Sequence, residues 1–487
     1  MYSAFIRIGA LQAVGGLIFF LRAKAGALVL GTDGVGLVSV VEQFVQLMLQ
    51  FSAFAIPFSA IKVLSEGHSE SAETFRANYA GLLQLLMILG GVGAGLGIAL
   101  ICIRPMWVSP TLAAHVPLVV VGLLGLPPMI LLAFFRNVPA AAGLPVTAAV
   151  WDIVAGAVMT GFMIAGMVLF REIGYFAGVL VGAVLVAACY HLYLANRLGL
   201  SIMASSPSNM HGVLRENPSF VELSLGKYVV ALATPLALFI VRATVLENFG
   251  ETSAGLLQAA IGISMAISLS LSPLNNLLLT PFVNRVLAAH NKYREAEEFQ
   301  KKLLLAITVV VLPPILFPDL VVIALYSSQF IEAAHTLYWF VLGQAIMQIG
   351  GIYMALLIGL DRVKAYAFFM AAAMAVNVLL ALLLVPRLGL AGAGIASFAS
   401  AILLALATFG YLRVVSGYRT GHRLGIATLF LFSGLGLAGA FVGTRPSLEL
   451  FNFLAKLLVC VVALGLMVPL SLDRSARRAL LRPFGRR

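Results

Sequence analysis

Charged residues are scarce in this sequence. They make up only 10% of its 487 residues, whereas an ordinary soluble domain carries about 25%. Hydrophobic residues make up 61%, and the mean hydropathy of +1.04 belongs to the whole chain rather than to a single anchor or cleaved leader. This composition excludes a soluble globular protein and predicts an all-α polytopic membrane protein.

Cysteine, metal-binding motifs and long loops are also scarce. Cys102, Cys189 and Cys460 lie inside apolar runs, without metal-ligand or disulfide spacing. The seven histidines are scattered and no H-E-x-x-H occurs. The longest loop runs only from Arg197 to Phe220. A polysaccharide polymerase or ligase usually has a long external loop with Arg and His, so the chain is predicted not to be an enzyme and to need no cofactor beyond coupling by H⁺ or Na⁺.

Apolar runs long enough to cross a bilayer, about 20 residues each, recur along the chain. About fourteen transmembrane helices are predicted, near Ile8–Leu30, Leu37–Leu64, Asn78–Ile103, Val116–Phe135, Gly143–Phe170, Gly174–Leu194, Val221–Leu246, Ala254–Phe282, Leu303–Tyr326, Ala334–Leu360, Ala365–Val385, Gly389–Leu412, Leu424–Val442 and Phe451–Leu472.

The basic residues predict the orientation of these spans. Lys and Arg are enriched in cytoplasmic loops, and with an inside amino terminus most of the 31 basic residues fall on the cytoplasmic side. The exceptions are four on the outer side and four within spans: Arg104, Arg171, Arg387, Arg445, Arg22, Lys24, Arg242 and Lys456. Both termini are therefore predicted to be cytoplasmic, and the basic tail is expected to rest on anionic lipid headgroups.

An internal repeat with a period near 220 residues divides the chain. The segment Leu30–Leu37 (LGTDGVGL) returns as Phe249–Leu256 (FGETSAGL), and Ala72–Phe75 returns as Ala296–Phe299. Six spans separate the copies, so both copies have the same membrane orientation. Two six-helix lobes are predicted, with the first and seventh spans equivalent and two further helices outside the repeat.

The predicted domain boundaries follow from this repeat. They are an N-lobe at 1–200, a cytoplasmic linker at 201–222, a C-lobe at 223–413, the last two spans at 414–473 and a basic tail at 474–487.

The sequence resembles the multidrug/oligosaccharidyl-lipid/polysaccharide (MOP) exporter superfamily. The resemblance rests on the L-G-x-x-x-x-G-L turn at Leu30–Leu37, the basic loop Lys62–Asn78, and the segment from Gly359–Arg362 through Asn377 to Val385–Gly394. Within the superfamily the chain looks most like the Wzx-type O-antigen flippases of the polysaccharide transporter branch. The resemblance implies two lobes, alternating access, and transfer of an undecaprenyl-pyrophosphate-linked oligosaccharide across the bacterial inner membrane.

Arginines within the spans are the candidate substrate ligands. Arg22 and Arg242 lie eight residues before Leu30 and Gly250, about 12 Å from the outer helix ends, so the repeat places cationic charge at equal depth in both lobes. A guanidinium is a planar fork of donors that suits a pyrophosphate. Lys24 is a weaker candidate, because it lies about 200° round the helix from Arg22 and can snorkel to the outer surface.

Two intramembrane acids are candidates for ion coupling. Glu42 in the second span and Asp152 in the fifth could carry a proton or a sodium ion, or could neutralise a basic neighbour. Ion coupling is not required energetically, since the membrane potential favours outward movement of a negative headgroup by roughly 2.3 kcal/mol per charge per 100 mV.

Two other transport functions compete with this interpretation. A multidrug or cation antiporter of the same superfamily predicts an acidic cavity, which the paired arginines oppose. A lipid II flippase shares the two extra helices and a cationic cavity. The predicted partners are a polyprenyl-pyrophosphate-linked oligosaccharide, membrane lipids and other polysaccharide assembly proteins, and no nucleic acid is expected.

Overall fold

The computed structural model describes residues 2–200, 218–288, 292–360 and 362–416. Regular secondary structure in these ranges is helical throughout, which confirms the all-α prediction. Most of the predicted linker, the predicted spans thirteen and fourteen and the basic tail lie outside the described residues.

The helices vary from four to 71 residues in length. In chain order they are α1 (Tyr2–Ala53), α2 (Ile56–Glu70), α3 (Ala72–Ile103), α4 (Pro105–Val108), α5 (Pro110–Ala113), α6 (Val116–Leu124), α7 (Leu126–Phe135), α8 (Asn137–Ala141), α9 (Pro145–Leu198), α10 (Pro218–Ala288), α11 (Lys292–Leu316), α12 (Pro318–Leu325), a 3₁₀ helix (Ser328–Ala333), α13 (Ala334–Gly359), α14 (Val363–Leu388) and α15 (Leu390–Ser416).

Several helices are long and apolar enough to cross a membrane. Within the described ranges there are eight such segments, or nine when a bent pair counts as one span. Three of them, Val14–Ala53, Pro145–Leu198 and Lys227–Leu271, contain 40, 54 and 45 residues, about twice the length of one crossing. Each is broken by non-helical backbone near its middle. The chain is therefore a multi-pass membrane protein, and its first twelve predicted spans all fall on helices.

Two of these breaks occur at glycines that the repeat makes equivalent. Gly31 in α1 has φ 72° and ψ −169°, and Gly250 in α10 has φ 81° and ψ −177°. Glycine occupies this region of φ without the steric penalty that a Cβ atom brings. The turn after the first span and the turn after the seventh therefore have the same backbone geometry.

The break in α9 involves residues other than glycine. Arg171 has φ 55°, and its Nη1 donates a hydrogen bond to the carbonyl oxygen of Val29 at 2.8 Å. Beside this break Gly166 and Gly174 pack backbone to backbone, since a Cβ on Gly166 would lie 2.0 Å from the carbonyl oxygen of Gly174. The two halves of α9 thus form a tight hairpin held against the Gly31 turn.

A further break separates α1 from α2. Phe54 and Ala55 both adopt left-handed backbone, with φ 48° and 55°, although neither is a glycine. Pro57 follows in the first turn of α2, a position where proline is well tolerated because its missing N–H has no helical partner. The second predicted span is consequently divided into two helices.

The last bent span consists of α11 and α12, which meet at an angle of 92°. Pro313 and Pro314 lie in the final turns of α11, just before the bend. Proline removes a backbone donor and crowds the preceding turn, so a bend near this position is expected.

By its internal contacts the chain divides into two compact units, Met1–Gln258 and Ala259–Arg487. In the first unit α9 packs on α1, α6 and α7, and α3 packs on α7. In the second unit α13 and α14 both pack on α15, and α11 packs on α13. The first part of α10, which begins the second copy of the repeat, belongs to the first unit, while the predicted lobe boundaries stay a prediction.

Candidate functional site

A half-buried ion pair joins the two halves of α1. Arg22 Nη2 donates to Glu42 Oε1 at 2.9 Å, with the two side chains 32% and 26% exposed. The residues are twenty positions apart in sequence, and the break at Gly31 turns the chain back so that they face each other. This pair unites a predicted substrate ligand with a predicted ion-coupling acid.

Arg242 lies close to this pair from α10. It is 5% exposed, and its Nη1 donates to the carbonyl oxygen of Ser39 at 2.8 Å. Tyr175 of α9 lies among these groups and interacts electrostatically with Arg22, Glu42 and Arg242. These four residues, Arg22, Glu42, Tyr175 and Arg242, form what we call the arginine cluster.

The remaining predicted site residues lie elsewhere. Lys24 is half-buried on α1, about 200° round the helix from Arg22. Asp152 forms an ion pair with Arg136, with 3.0 Å between Oδ2 and Nε, where the side chains are 33% and 64% exposed. The structure thus brings Arg22, Arg242 and Glu42 together and places Asp152 in a separate pair. Ligand and ion-coupling roles for all five residues stay predictions.

Tyr175 is the member of the arginine cluster that sequence reasoning missed. It is 5% exposed and follows Gly174, one of the glycines that close the α9 hairpin. The charge pattern that singled out Arg22 and Arg242 carries no signal for a neutral phenol. Its place beside Glu42 follows from the way α9 packs on α1, which the sequence alone does not give.

The repeat-related turns at Gly31 and Gly250 contact each other reciprocally. A Cβ on Gly36 would lie 2.0 Å from the carbonyl oxygen of Glu251, and a Cβ on Gly255 would lie 2.0 Å from that of Thr32. Gly36 and Gly255 are equivalent in the repeat, as are Thr32 and Glu251. The contact therefore has an approximate twofold axis, and only glycine permits so close an approach.

Polar side chains link the same turns. Thr252 Oγ1 donates to Asp33 Oδ1 at 2.7 Å, and these two residues are themselves equivalent in the repeat. His115 Nε2 lies 3.4 Å from Glu251 Oε1. We call this set of contacts the glycine gate, because it joins the two repeat copies at one end of their first helices.

The second half of α1 runs alongside the first part of α10 away from the glycine gate. Gln43 Nε2 donates to the carbonyl oxygen of Pro235 at 3.2 Å, and further along, the hydroxyls of Ser59 and Ser224 are 2.5 Å apart. Together with the Arg242–Ser39 bond, these contacts form a polar seam from one end of the spans to the other.

The second unit has a polar group of its own. The side-chain amides of Gln344 and Gln348, one turn apart on α13, both donate to the hydroxyl of Ser268, the latter at 2.5 Å. Asn377 on α14 is 7% exposed. No group of three or more His, Cys, Asp or Glu able to hold a metal ion occurs among the described residues.

Comparison with known proteins places the fold. No protein-family model and no curated protein matches the sequence. The solved structures that it resembles include the lipid II flippase MurJ in an inward closed conformation, with a TM-score of 0.64 and 13% identity over 99% of this chain and 100% of that one.

Transporters of the MATE family are similar as well. An inward-facing multidrug resistance MATE family transporter of the MOP superfamily has a TM-score of 0.60 at 16% identity. A MATE protein in complex with MaL6 has a TM-score of 0.60 at 15% identity. Each comparison covers 85% of this chain and 96% of the other. The chain thus has the polytopic all-α fold of the MATE transporters and of MurJ.

Proposed function

We propose that this protein is a flippase that moves an undecaprenyl-pyrophosphate-linked oligosaccharide across the bacterial cytoplasmic membrane. The cargo would serve the assembly of a surface polysaccharide, such as O-antigen, capsule or exopolysaccharide. The arginine cluster is the observation that carries this proposal. It gathers two guanidinium groups from repeat-related helices, and Arg binds phosphate oxygens through parallel N–H donors.

The burial of the arginine cluster suits an anionic cargo. An arginine in the middle of a membrane costs roughly 2.5 to 3.5 kcal/mol on insertion scales, so two of them in one place, Arg242 buried and Arg22 half-buried, indicate a function that needs positive charge. Arg242 is the more deeply buried of the two, and Arg22 is held by Glu42. A pyrophosphate entering the cluster would replace the Glu42 carboxylate as the partner of Arg22.

The glycine gate supports alternating access as the mechanism. In the orientation that the basic residues predict, with both termini in the cytoplasm, the Gly31 and Gly250 turns lie on the outer side. Their reciprocal contact would then be the closed outer gate of the transporter. Release of the cargo to the outer leaflet would require Gly36 and Gly255 to separate from the opposite carbonyl groups.

The second candidate function is transport of lipid II. The likeness to MurJ extends over 99% of this chain, whereas the likeness to the MATE transporters covers 85%. Both lipid-linked cargoes carry a pyrophosphate, so the arginine cluster suits either. Export of cationic drugs is disfavoured, because the two guanidinium groups leave the arginine cluster with a net positive charge even beside Glu42, and that charge would repel a cation.

The test is a depletion experiment with rescue by plasmid-borne variants. Depletion of the protein is expected to trap the undecaprenyl-pyrophosphate oligosaccharide in the inner leaflet. Wild type and Arg413→Ala, which removes an exposed arginine on α15, are expected to rescue export, whereas Arg22→Ala and Arg242→Ala are expected to fail at equal protein level.

The outcomes separate the function from the site. If depletion traps no lipid-linked oligosaccharide, the flippase proposal is wrong. If lipid II accumulates instead, the second candidate replaces the first. If both cluster variants rescue export, the function stands and the arginine cluster is not the headgroup site.

A further inference from the structure

We propose that four aromatic residues beside the α1–α2 break bind a sugar ring of the cargo. We call Phe51, Phe54, Phe58 and Tyr228 the aromatic platform. The inference rests on the proposed function, and it adds a glycan subsite separate from the pyrophosphate site at the arginine cluster.

Three rings of the aromatic platform are ordered by contacts between the end of α1 and α10. Phe54 stacks on Tyr228 with 4.9 Å between centroids and 19° between planes. Phe51 lies 6.4 Å from Phe54, and the Tyr228 hydroxyl donates to the Phe51 carbonyl oxygen at 3.4 Å. The platform is therefore a defined surface and not a set of separate side chains.

The phenylalanine rings of the aromatic platform are exposed although two of them pack against each other. Phe51, Phe54 and Phe58 are 43%, 37% and 51% exposed. The break beneath them places Phe54 and Ala55 in left-handed backbone, which residues with a side chain rarely adopt. Such departures cluster at ligand sites, where the surrounding structure holds them in place.

Two lysines border the rings. Lys227 Nζ lies 4.7 Å from the centroid of Phe58. Lys62 follows Phe58 by one helical turn and pairs with Glu66 at 3.8 Å. Ammonium groups donate up to three hydrogen bonds each, so the edge of the aromatic platform can donate to hydroxyl groups while its ring faces remain apolar.

A row of amides connects the aromatic platform to the arginine cluster. Gln43, Gln46 and Gln50 follow one another at three- and four-residue spacing on one side of α1, and Phe54 lies in the break just beyond its end. Amides seldom face lipid in a membrane helix, and Gln43 bonds to Pro235 of α10. From Glu42 to Phe54 the helix rises about 18 Å. A glycan whose pyrophosphate lies at Arg22 could therefore reach the platform along hydrogen-bonding side chains.

A sugar ring has the chemistry that this surface requires. The face of an aromatic ring is electron-rich and attracts polarised hydrogen atoms, which a pyranose presents along its C–H face. Its hydroxyl groups would accept from Lys227 and Lys62. A polyprenyl chain would use the rings but not the lysines or the amide row, and this is the alternative that the experiment must separate.

The experiment measures binding to the full-length protein in lipid nanodiscs. The probes are undecaprenyl pyrophosphate without sugar and the same lipid with one glucose, galactose or N-acetylglucosamine. Phe54→Leu keeps an apolar side chain but removes the ring, and Phe54→Ala removes both. Phe368→Ala is the matched control, since Phe368 is a 69% exposed phenylalanine on α14.

Wild type is expected to bind at least one sugar-bearing lipid more tightly than the bare lipid. Both Phe54 variants should weaken that binding about tenfold and change binding of the bare lipid less than twofold, while Phe368→Ala changes neither. Equal weakening for both kinds of probe would show that the rings hold the acyl chain and would overturn the proposal. The proposal would also be overturned if the Phe54 variants bound the sugar-bearing lipids as tightly as wild type does. It would be overturned as well if wild type bound the sugar-bearing and bare lipids equally tightly. Failure of wild type to bind any of the lipids would instead refute the flippase function itself.

Discussion

Replacing Gly36 by alanine should open the glycine gate. The new methyl group would lie 2.0 Å from the carbonyl oxygen of Glu251, whereas real Cβ atoms essentially never come within 3.0 Å of another heavy atom. The two turns must therefore separate by about 1 Å or more. Because the obstacle is backbone on both sides, no side-chain rotation can relieve it. Gly255→Ala should act in the same way through the carbonyl group of Thr32, also at 2.0 Å.

The expected size follows from the cost of overpacking. Inserting a methyl group into a well-packed contact typically costs about 1 to 3 kcal/mol. Since the clash exists only while the turns touch, this cost falls on the contact state alone. It should reduce the population of that state relative to the open state about 5- to 150-fold.

Disulfide formation across the gate measures this population. Asp33→Cys and Thr252→Cys place thiols where side chains now meet at 2.7 Å, in a background in which the native cysteines, Cys102, Cys189 and Cys460, are replaced by serine. Oxidation by copper phenanthroline should be slower with Gly36→Ala than without it, by up to about 150-fold. Gly91→Ala serves as control, since a Cβ there has no neighbour within 4 Å. An unchanged rate with Gly36→Ala would refute the reasoning.

Three further substitutions test individual contacts. Glu42→Gln removes the carboxylate that lies 2.9 Å from Arg22. A partly exposed pair is worth about 0.2 to 1 kcal/mol, so undecaprenyl pyrophosphate should bind up to a few-fold more tightly, and weaker binding would contradict the exchange of partners. In proteoliposomes, transport by Asp152→Asn should depend on the proton or sodium gradient to the same extent as transport by wild type, because Asp152 pairs with Arg136. Loss of that dependence in the variant would instead assign ion coupling to Asp152. Tyr79→Phe removes a 2.8 Å hydrogen bond between the hydroxyl of buried Tyr79 and Nδ1 of His191 on α9. It should cost about 1 kcal/mol and lower the thermal unfolding temperature in detergent, and an unchanged temperature would count against that bond.

Much of the fold could be predicted because the bilayer imposes a simple rule. A run of about 20 apolar residues must become a helix to satisfy its own backbone, and the first twelve predicted spans all lie on helices. The repeat added the equivalence of the turns at Gly31 and Gly250, whose backbone angles agree. Internal similarity thus predicted local geometry where hydropathy could not.

The break at Phe54 and Ala55 could not be predicted in the same way. Neither residue is a glycine, and both lie in the short apolar run Ala53–Phe58. Pro57 indicates that a helix begins nearby, but it does not predict left-handed backbone at Phe54 and Ala55. That conformation depends on packing against α10, where Tyr228 receives the Phe54 ring, and packing between distant spans leaves no local pattern.

The sequence alone indicated which charged residues form the candidate site, but it did not indicate which of them contact each other. Arg22 and Arg242 could be selected from the sequence because they are predicted to lie at equal depth in the membrane on repeat-related helices. The partner of Arg22 depends on how far the chain turns at Gly31, which places Glu42 opposite it. The link through Tyr175 depends on the fold of α9 against α1. Pairs between spans require the tertiary arrangement.

The bond between Asp33 and Thr252 has a consequence for how a duplicated chain can diverge. When two copies of a segment meet about a twofold axis, a residue on the axis faces its own counterpart. An ancestor with aspartate in both copies would have set two carboxylates against each other, and an ancestor with threonine in both would have had no charge there. The aspartate and threonine present here form a hydrogen bond to a carboxylate, which two ionised aspartates or two threonines could not form. A difference between the two copies at this one position therefore permits a charge-assisted bond across the axis.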